Sequence, residues 1–238
     1  MTLNSRDPRN SQGAPAAGRR RIFDIDFSDL SFARVVETLV REPVPMGTGL
    51  RLVATANLDH IVQLGRNARF RQSYRDAWLR VIDGAPVMAY ARLRRLAVSG
   101  RVAGSDLFPA LIKGLEPGRH RLALLCANEE TARGLSHRLG GRGFVDHLVL
   151  VAPPDFESNE KFGRWLIATL NERGTTHLFF GIGAPKSEIW MQEHARELPD
   201  CYGFGFGAGL DYFAGTKRRA PRFMRKTGLE WLWRVGSE

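Results

Sequence analysis

The stretch Trp78-Leu79-Arg80-Val81-Ile82-Asp83-Gly84 carries an apolar run directly into an acidic residue and a glycine. This order is typical of a buried strand in a parallel sheet, ending with a carboxylate at the rim where ligands bind in such folds. The Asp-Gly pair also suits a plain turn, because Asp accepts backbone N–H bonds and Gly tolerates positive φ. The local pattern does not decide between these interpretations, so the rest of the chain must.

Strand patterns alternate with helix patterns on both sides of this stretch. Helical connections of such length argue for right-handed crossovers and a parallel sheet covered on both faces. The sequence therefore predicts an α/β, Rossmann-like fold, closed by a basic C-terminal helix from Pro221. The pairs, strand first, are Leu50–Thr55 with a helix to about Ala77, Trp78–Asp83 with Ala85–Leu93, His120–Ala127 with Glu129–Leu139, Val145–Val151 with Phe156–Arg173, and Thr176–Ile182 with Pro185–Leu198, before a last strand over Cys201–Phe206.

The two ends of the chain differ from this alternating region. Residues Met1 to Arg21 are rich in Ser, Pro, Gly and Arg without a hydrophobic period, which predicts a disordered basic arm. Residues 22–238, with a short strand over Ile22 to Phe27 and a helix over Asp29 to Arg41, are expected to form a single domain. No apolar run is long enough to span a bilayer and no signal peptide is recognisable, so we expect a cytosolic protein.

The net charge of +10 and the pI near 10.4 indicate an anionic partner. Nucleic acid, an acidic membrane and a phosphorylated substrate all satisfy this condition. Nucleic acid is disfavoured, because the basic residues are scattered and no RNP, helix-turn-helix or zinc signature occurs. The two cysteines, Cys126 and Cys201, lie in apolar strand-like runs without metal-ligand or redox spacing and are expected to be reduced core residues.

Three stretches place polar groups where a strand gives way to a helix. Thr55 and Asn57 follow the first such strand, beside helix N–H groups that favour an anion or a sugar hydroxyl, although Asn57 would also serve as a plain cap. Gly104 precedes a helix that Ser105 or Asp106 can cap, which suits a ligand phosphate or an ordinary loop.

The third stretch, Gly181-Ile-Gly-Ala-Pro-Lys-Ser-Glu188, combines a backbone nest with a lysine in the first helical turn and predicts an anion site. Its glycine and lysine order excludes a Walker A loop.

Three further segments are candidates for contact with a ligand or a membrane. Asp24-Ile25-Asp26 matches the metal-binding aspartate-x-aspartate signature, but its place at the start of the domain favours a solvated strand edge. The alternate glycines of Gly207-Ala-Gly-Leu-Asp211 allow close approach of backbone or ligand. In the last predicted helix, aromatic and cationic residues alternate, which fits either a membrane surface or a core-packing helix with a basic face.

Taken in order, these motifs resemble the WecG/TagA/CpsF glycosyltransferases, family 26, from Ile22 to the C-terminus. The motifs that carry the resemblance are Thr55-Ala-Asn57, Asp83-Gly84, Arg101-Val-Ala-Gly104-Ser-Asp106-Leu, Gly181-Ile-Gly183-Ala-Pro-Lys186, Gly207-Ala-Gly-Leu-Asp211, Lys217-Arg218-Arg219-Ala-Pro-Arg222 and Gly228-Leu-Glu230-Trp231.

The resemblance implies an inverting, metal-independent transferase with a UDP-sugar as donor and no cofactor. It moves a sugar, of the N-acetylmannosamine type or another hexose or uronic acid, to a polyprenyl-diphosphate-linked saccharide at the cytoplasmic face of the inner membrane. Such steps build exopolysaccharide, capsule, teichoic acid or surface antigen. The partners implied are these two substrates, the anionic membrane surface and a second copy of the chain, with no nucleic acid. A nucleic-acid-binding domain and a non-catalytic nucleotide-binding module are the alternatives.

The resemblance also assigns roles to residues. Asp83 matches the general base, and Lys217, Arg218, Arg219 and Arg222 would face the acceptor diphosphate or the membrane. Ser187 stands where the family usually has Gln, which leaves the donor sugar open, and many members continue past the Glu-Trp helix into a basic appendage. The substrate-binding positions implied are Thr55, Asn57, Gly84, Arg101, Gly104, Ser105, Asp106, Gly181, Gly183, Pro185, Lys186, Ser187, Glu188, Gly207 and Asp211.

Overall fold

A computed structural model describes residues 19–96, 98–221 and 224 of the chain. Its strands form two sheets, an antiparallel hairpin of β1 and β2 and a six-stranded sheet in the order β4-β3-β8-β7-β5-β6. Every neighbouring pair in the larger sheet is parallel. The strands are β1 Arg19–Ile22, β2 Ile25–Ser28, β3 Arg51–Ala56, β4 Leu79–Ile82, β5 Leu122–Cys126, β6 Leu148–Val151, β7 His177–Phe180 and β8 Tyr202–Gly205.

Helices connect these strands, and asparagine side chains start several of them. Asn57, Asn67, Asn128 and Asn159 each accept a hydrogen bond from a backbone N–H of the first helical turn, which satisfies a donor that has no partner within the helix. The helices are α1 Phe32–Arg41, α2 Leu58–Arg66, α3 Ala68–Asp76, α4 Ala85–Leu93, α5 Gly104–Gly114, α6 Glu129–Gly140, α7 Glu160–Glu172, α8 Lys186–Glu193 and α9 Ala208–Ala214.

The sheet is covered on both faces, as an α/β fold requires. Helices α2, α3, α7 and α8 pack on one face through residues such as Phe70 and Trp190. Helices α1, α5, α6 and α9 pack on the other through residues such as Leu107 and Leu210. Because α6 leaves β5 on one face and α8 leaves β7 on the opposite face, the connections diverge above the carboxyl edge of the sheet, where such folds bind ligands. The predicted fold class is confirmed.

The start of the domain differs from the sequence prediction. The single strand expected over Ile22 to Phe27 is a hairpin, since Phe23 and Asp24 adopt φ values of 50° and 60° and reverse the chain. Strand β1 starts at Arg19, which pairs with Ser28, so it includes three residues that the sequence analysis assigned to the basic arm. The remainder of that arm lies outside the described residues.

Two helix predictions were also wrong. The helix expected from Asn57 to about Ala77 is two helices, because Asn67 leaves the helical conformation and caps α3 through its side chain. Helix α9 was not predicted, since the alternate glycines that precede it obscure any helical period. The predicted C-terminal helix lies outside the described residues apart from Pro221 and Met224.

Both cysteines are buried and unbridged, which confirms their prediction as core residues. Within the part of the chain that the structure describes, no helix combines the length and apolarity that crossing a bilayer requires.

Candidate active site at the carboxyl edge

Asp83 lies immediately after β4, at the carboxyl edge of the sheet. The backbone N–H groups of Asp83 and Gly84 both donate to the carbonyl oxygen of Ala56, at 2.9 and 3.2 Å. This shared acceptor holds the Asp-Gly segment against the end of β3. The half-buried Asp83 side chain therefore starts from a fixed backbone position, as the rim interpretation of the sequence requires.

The N-terminus of α5 meets this aspartate. Val102 N–H donates to the Ile82 carbonyl oxygen at 2.7 Å, which returns the chain to the end of β4. Two residues later, Gly104 N–H donates to Asp83 Oδ2 at 3.2 Å. The first amides of a helix carry partial positive charge and favour an anion, which suits this contact with the Asp83 carboxyl group.

The predicted capping of α5 by Ser105 or Asp106 was wrong. Ala103 occupies the N-cap position and makes no side-chain cap. Asp106 instead accepts a hydrogen bond from Arg219 Nη1 at 2.7 Å, and Arg101 lies 4.0 Å from its other oxygen. No side chain of α5 caps its own N-terminus, and the Gly104 amide donates to Asp83 instead.

Glycines allow several backbone segments to converge beside Asp83. A Cβ on Gly84 would lie 3.1 Å from Asn57 Cα, and one on Gly104 would lie 3.0 Å from Phe206 Cδ1 and 3.4 Å from Thr55 Oγ1. Thr55, Asn57, Gly84 and Gly104 are therefore brought together as predicted. Phe206 was missed, although its position after a short strand and before Gly207 was a usable signal.

The loops after β7 and β8 meet on the other side of this cluster. Gly183 and Gly207 adopt φ values of 85° and 48°, and a Cβ on Gly207 would lie 3.7 Å from Gly183 Cα. A Cβ on Gly209 would lie 3.4 Å from Phe206 Cβ and 3.7 Å from Ser105 Cα. The glycines of these loops therefore let their backbones lie close to each other and to the start of α5.

The loop Gly183-Ala-Pro-Lys186 leads into α8, and its side chains differ in exposure and contacts. Pro185 is the N-cap residue after a cis peptide bond, and Lys186 begins the helix. Lys186 is half-exposed and pairs with Glu157 Oε2 at 3.0 Å. Ser187 is buried and donates to the Gly183 carbonyl oxygen at 3.0 Å, so it fixes the loop. The Cβ position of Gly181 is occupied by Leu210, which makes that glycine a packing residue.

Glu188 is the unusual residue of this loop. It is 1% exposed, and none of the described residues donates to its Oε2 atom. Burial raises the pKa of its carboxyl group to about 7, and the charge of Asp59 acts in the same direction. The protonated form is therefore substantially populated at neutral pH. A buried acceptor without a donor is uncommon in folded proteins and occurs most often where function requires it.

Tyr74 and His60 form a polar pair in the same layer. Burial raises the pKa of Tyr74 well above its ordinary value, with the charges of Glu188 and Asp83 adding to the effect. His60 Nδ1 lies 2.6 Å from the Tyr74 hydroxyl oxygen. Its burial and this contact identify His60 as a packing and hydrogen-bonding residue.

The predicted basic segment starts at Lys217. Its residues Lys217 and Arg219 form ion pairs with acidic residues of α9 and α5. Lys217 Nζ lies 3.2 Å from Asp211 Oδ2, and Thr131 Oγ1 donates to the other Asp211 oxygen at 2.7 Å. Arg219 is largely buried against Asp106 and also donates to the Ser105 carbonyl oxygen at 3.3 Å. Arg218 is exposed. Arg222, the fourth predicted cation, lies outside the described residues.

These contacts divide the predicted residues into two groups. Asp211 and Ser187 have their polar side-chain atoms engaged within the protein, so they support the loops rather than face a ligand. Asp83 is half-buried and Lys186 is half-exposed, so both side chains are at least partly accessible to solvent. Among residues 19–96, 98–221 and 224, no three His, Cys, Asp or Glu side chains are grouped as a metal ion would require.

A parallel α/β fold with its polar groups above the carboxyl edge belongs to the Rossmann-like class, whose members bind ligands at that position. Within that class, the sequence model described as "Glycosyl transferase WecG/TagA/CpsF family" matches residues 20–238. The chain belongs to this family and is a hexosyl-transferring enzyme, in agreement with the resemblance seen in the sequence.

Proteins of known activity show the same relationship. An N-acetylglucosaminyldiphosphoundecaprenol N-acetyl-beta-D-mannosaminyltransferase of Staphylococcus aureus strain NCTC 8325 / PS 47 is 24% identical over 218 residues, which cover 90% of this chain and 83% of the relative. The protein of the same description from strain MRSA252 has the same identity and coverage.

Proposed function

We propose that the protein transfers a sugar from a UDP-sugar to a saccharide carried on a polyprenyl diphosphate, with inversion at the anomeric carbon. The relatives are described as acting on a diphosphoundecaprenol-linked N-acetylglucosamine, which supports the acceptor class. The observation that carries the proposal is the Asp83 carboxylate, which is held at the carboxyl edge by the α5 N-terminus. The donor is of the N-acetylmannosamine type, or another hexose or uronic acid.

Asp83 acts as the general base in this proposal. Its carboxylate takes the proton of the acceptor hydroxyl group while that oxygen attacks the anomeric carbon of the donor. The new glycosidic bond forms as the bond to UDP breaks, and UDP leaves with the electron pair. The Gly104 amide donates to Asp83 Oδ2 and so orients the carboxylate at the carboxyl edge.

In this proposal, the loop that leads into α8 stabilises the negative charge that grows on the departing diphosphate. Lys186 lies in the first turn of α8, and the glycine-rich loop before it exposes backbone amides. Exchange of the Glu157 partner for a phosphate would bring the lysine ammonium group onto the leaving group. These groups supply the electrostatic stabilisation that a metal ion gives in other transferases, and we propose that no bound metal is needed.

The acceptor substrate places the enzyme at a membrane. A polyprenyl diphosphate is anchored in the bilayer, so an enzyme acting on its sugar works at the surface. We propose peripheral attachment to the cytoplasmic face of the inner membrane, with exposed cations such as Arg218 against anionic headgroups. The product belongs to cell-surface polysaccharide assembly, as exopolysaccharide, capsule, teichoic acid or antigen.

The test is the Asp83→Asn variant, assayed for UDP release with a short-chain prenyl-diphosphate saccharide as acceptor. We expect turnover to fall by about 10²- to 10⁴-fold, because a general base contributes that much, while UDP affinity stays within a few fold. Asp24→Asn is the matched control, because that carboxylate lies exposed in the β1–β2 turn and should leave turnover unchanged. Wild-type turnover in Asp83→Asn would remove this residue from the mechanism.

A further inference from the structure

The segment between β4 and α5 leaves the catalytic edge and returns to it. Its first residues are pinned where Gly84 N–H donates to the Ala56 carbonyl oxygen, and its last where Val102 N–H donates to that of Ile82. Helix α4 lies within this excursion and starts at Ala85, after the N-cap residue Gly84 that follows Asp83. With nine residues it extends roughly 13 Å, so its far end is held at a short, fixed distance from the catalytic carboxylate.

Apolar side chains are exposed at that far end. Leu93, the last residue of α4, is 81% exposed. Phe23, in the β1–β2 turn, is 47% exposed and stacks on Tyr90 of α4 with 4.6 Å between ring centroids. Leu93 and Phe23 present apolar area to solvent, while Tyr90 is partly buried against the core and holds the Phe23 ring by stacking. Exposed apolar area of this kind marks an interaction surface.

Exposed cations surround these apolar groups. Arg92, Arg94 and Arg95 follow one another at the end of α4, and none forms an ion pair with an acidic residue among those that the structure describes. Some of this charge offsets the helix dipole, but three exposed guanidinium groups exceed that need. We call Phe23, Tyr90, Leu93 and these three arginines the α4 patch.

We propose that the α4 patch docks on an anionic bilayer and thereby presents Asp83 to its membrane-anchored acceptor. Arginines bind acidic headgroups while leucine and aromatic side chains enter the interfacial layer, a combination that membrane-surface helices share. A second copy of the chain is a poorer occupant, because three partly buried apolar side chains offer at most about 400 Å² against the roughly 800 Å² per partner of a stable interface. The inference rests on the proposed function for its purpose, but the binding itself does not require catalysis.

The test is sedimentation with vesicles of phosphatidylglycerol and phosphatidylethanolamine, using the full chain and the Leu93→Glu/Arg94→Glu variant. Both side chains are exposed, so the variant should fold, as circular dichroism would show. We expect its vesicle affinity to fall at least tenfold, while UDP release with a water-soluble short-chain acceptor stays within twofold of wild type. Val145→Glu is the matched control, since Val145 is 87% exposed before β6 at the opposite edge of the sheet and should bind vesicles as wild type does.

Two results would overturn the inference. One is unchanged vesicle affinity in the Leu93→Glu/Arg94→Glu variant. The other is loss of vesicle binding that accompanies conversion of a dimer to a monomer in gel filtration, which would assign the patch to a second copy. Failure of the proposed function is distinct, because it would show as absent UDP release by the wild-type protein with every acceptor, whatever the vesicle result.

Discussion

Two buried ionisable groups lie near opposite ends of β7, and their surroundings differ. His177 begins the strand, and Glu188 lies in the first turn of α8 after it. The imidazole Nε2 of His177 lies 2.9 Å from the Leu39 carbonyl oxygen, and Nδ1 lies 3.0 Å from Thr176 Oγ1. No described residue donates to Glu188 Oε2. The two groups are therefore equally removed from solvent but differ in their hydrogen bonding.

The difference matches the division of labour in the fold. At the amino edge, α1 closes over His177 through Leu39, so both ring nitrogens of His177 have partners within the protein. The carboxyl edge keeps a buried carboxyl oxygen without a donor beside glycine-lined loops. The contrast is therefore between these two side chains, since the Trp78 Nε1 atom at the amino edge is also buried without a described partner.

The Glu188→Gln variant tests the carboxyl group at the carboxyl edge of the sheet, whose Oε2 atom has no described donor. We expect a large effect on the pH dependence of stability. The folded-state pKa of about 7 lies above the ordinary 4.5, so the folded protein keeps a proton that the unfolded chain loses. Wild-type stability should therefore fall as pH rises from 4.5 to 7, by about 3 kcal/mol in total. Glutamine does not titrate, and its stability relative to wild type should rise over this range in urea denaturation. A difference that is constant from pH 5 to pH 8 would contradict the buried, raised-pKa carboxyl group.

The His177→Gln variant tests the imidazole at the amino edge of the sheet, whose two ring nitrogens have partners. The pH dependence of stability has the opposite sign there. Burial lowers the pKa of His177 from 6.5 to about 4. Between these pH values the unfolded chain therefore binds a proton at this residue and the folded protein does not. Stability present above pH 6.5 should be lost as pH falls towards 4, again by about 3 kcal/mol in wild type. Glutamine keeps a donor for the Leu39 carbonyl oxygen and should remove most of this acid sensitivity in urea titrations at pH 7 and pH 4.5. The variant's UDP affinity should stay at the wild-type value, since its residue lies at the edge away from the site.

The sequence predicted the sheet, because its strands are apolar runs separated by helix-length segments. It also predicted the position of Asp83, because an acidic residue that ends an apolar run in a parallel sheet must reach the carboxyl edge. The family resemblance added which motifs belong to the site.

Tertiary contacts account for what the sequence did not predict. Nothing local shows that the Gly104 amide reaches Asp83, since the two are twenty-one residues apart and meet only after the α4 excursion returns. The inward position of Arg219 depends on Asp106, which is more than a hundred residues away. Helix α9 was missed because glycine spacing indicates close approach without showing whether the backbone is helical.

The smallest effect concerns the space occupied by Glu188. A Cβ on Gly205 would lie 2.4 Å from Glu188 Oε1 and 3.3 Å from Ser187 Cβ, so Gly205→Ala must displace a fully buried side chain. We expect a loss of about 1–3 kcal/mol in urea denaturation, as overpacked cores show. Gly65→Ala is the matched control, because no atom lies within 4 Å of its Cβ position in α2 and alanine should stabilise the helix by about 0.5–1 kcal/mol. If the carboxyl group is the obstacle, Glu188→Ala should recover most of the Gly205→Ala loss in a double-mutant cycle; purely additive losses would mean that the backbone of β8, and not Glu188, sets the limit.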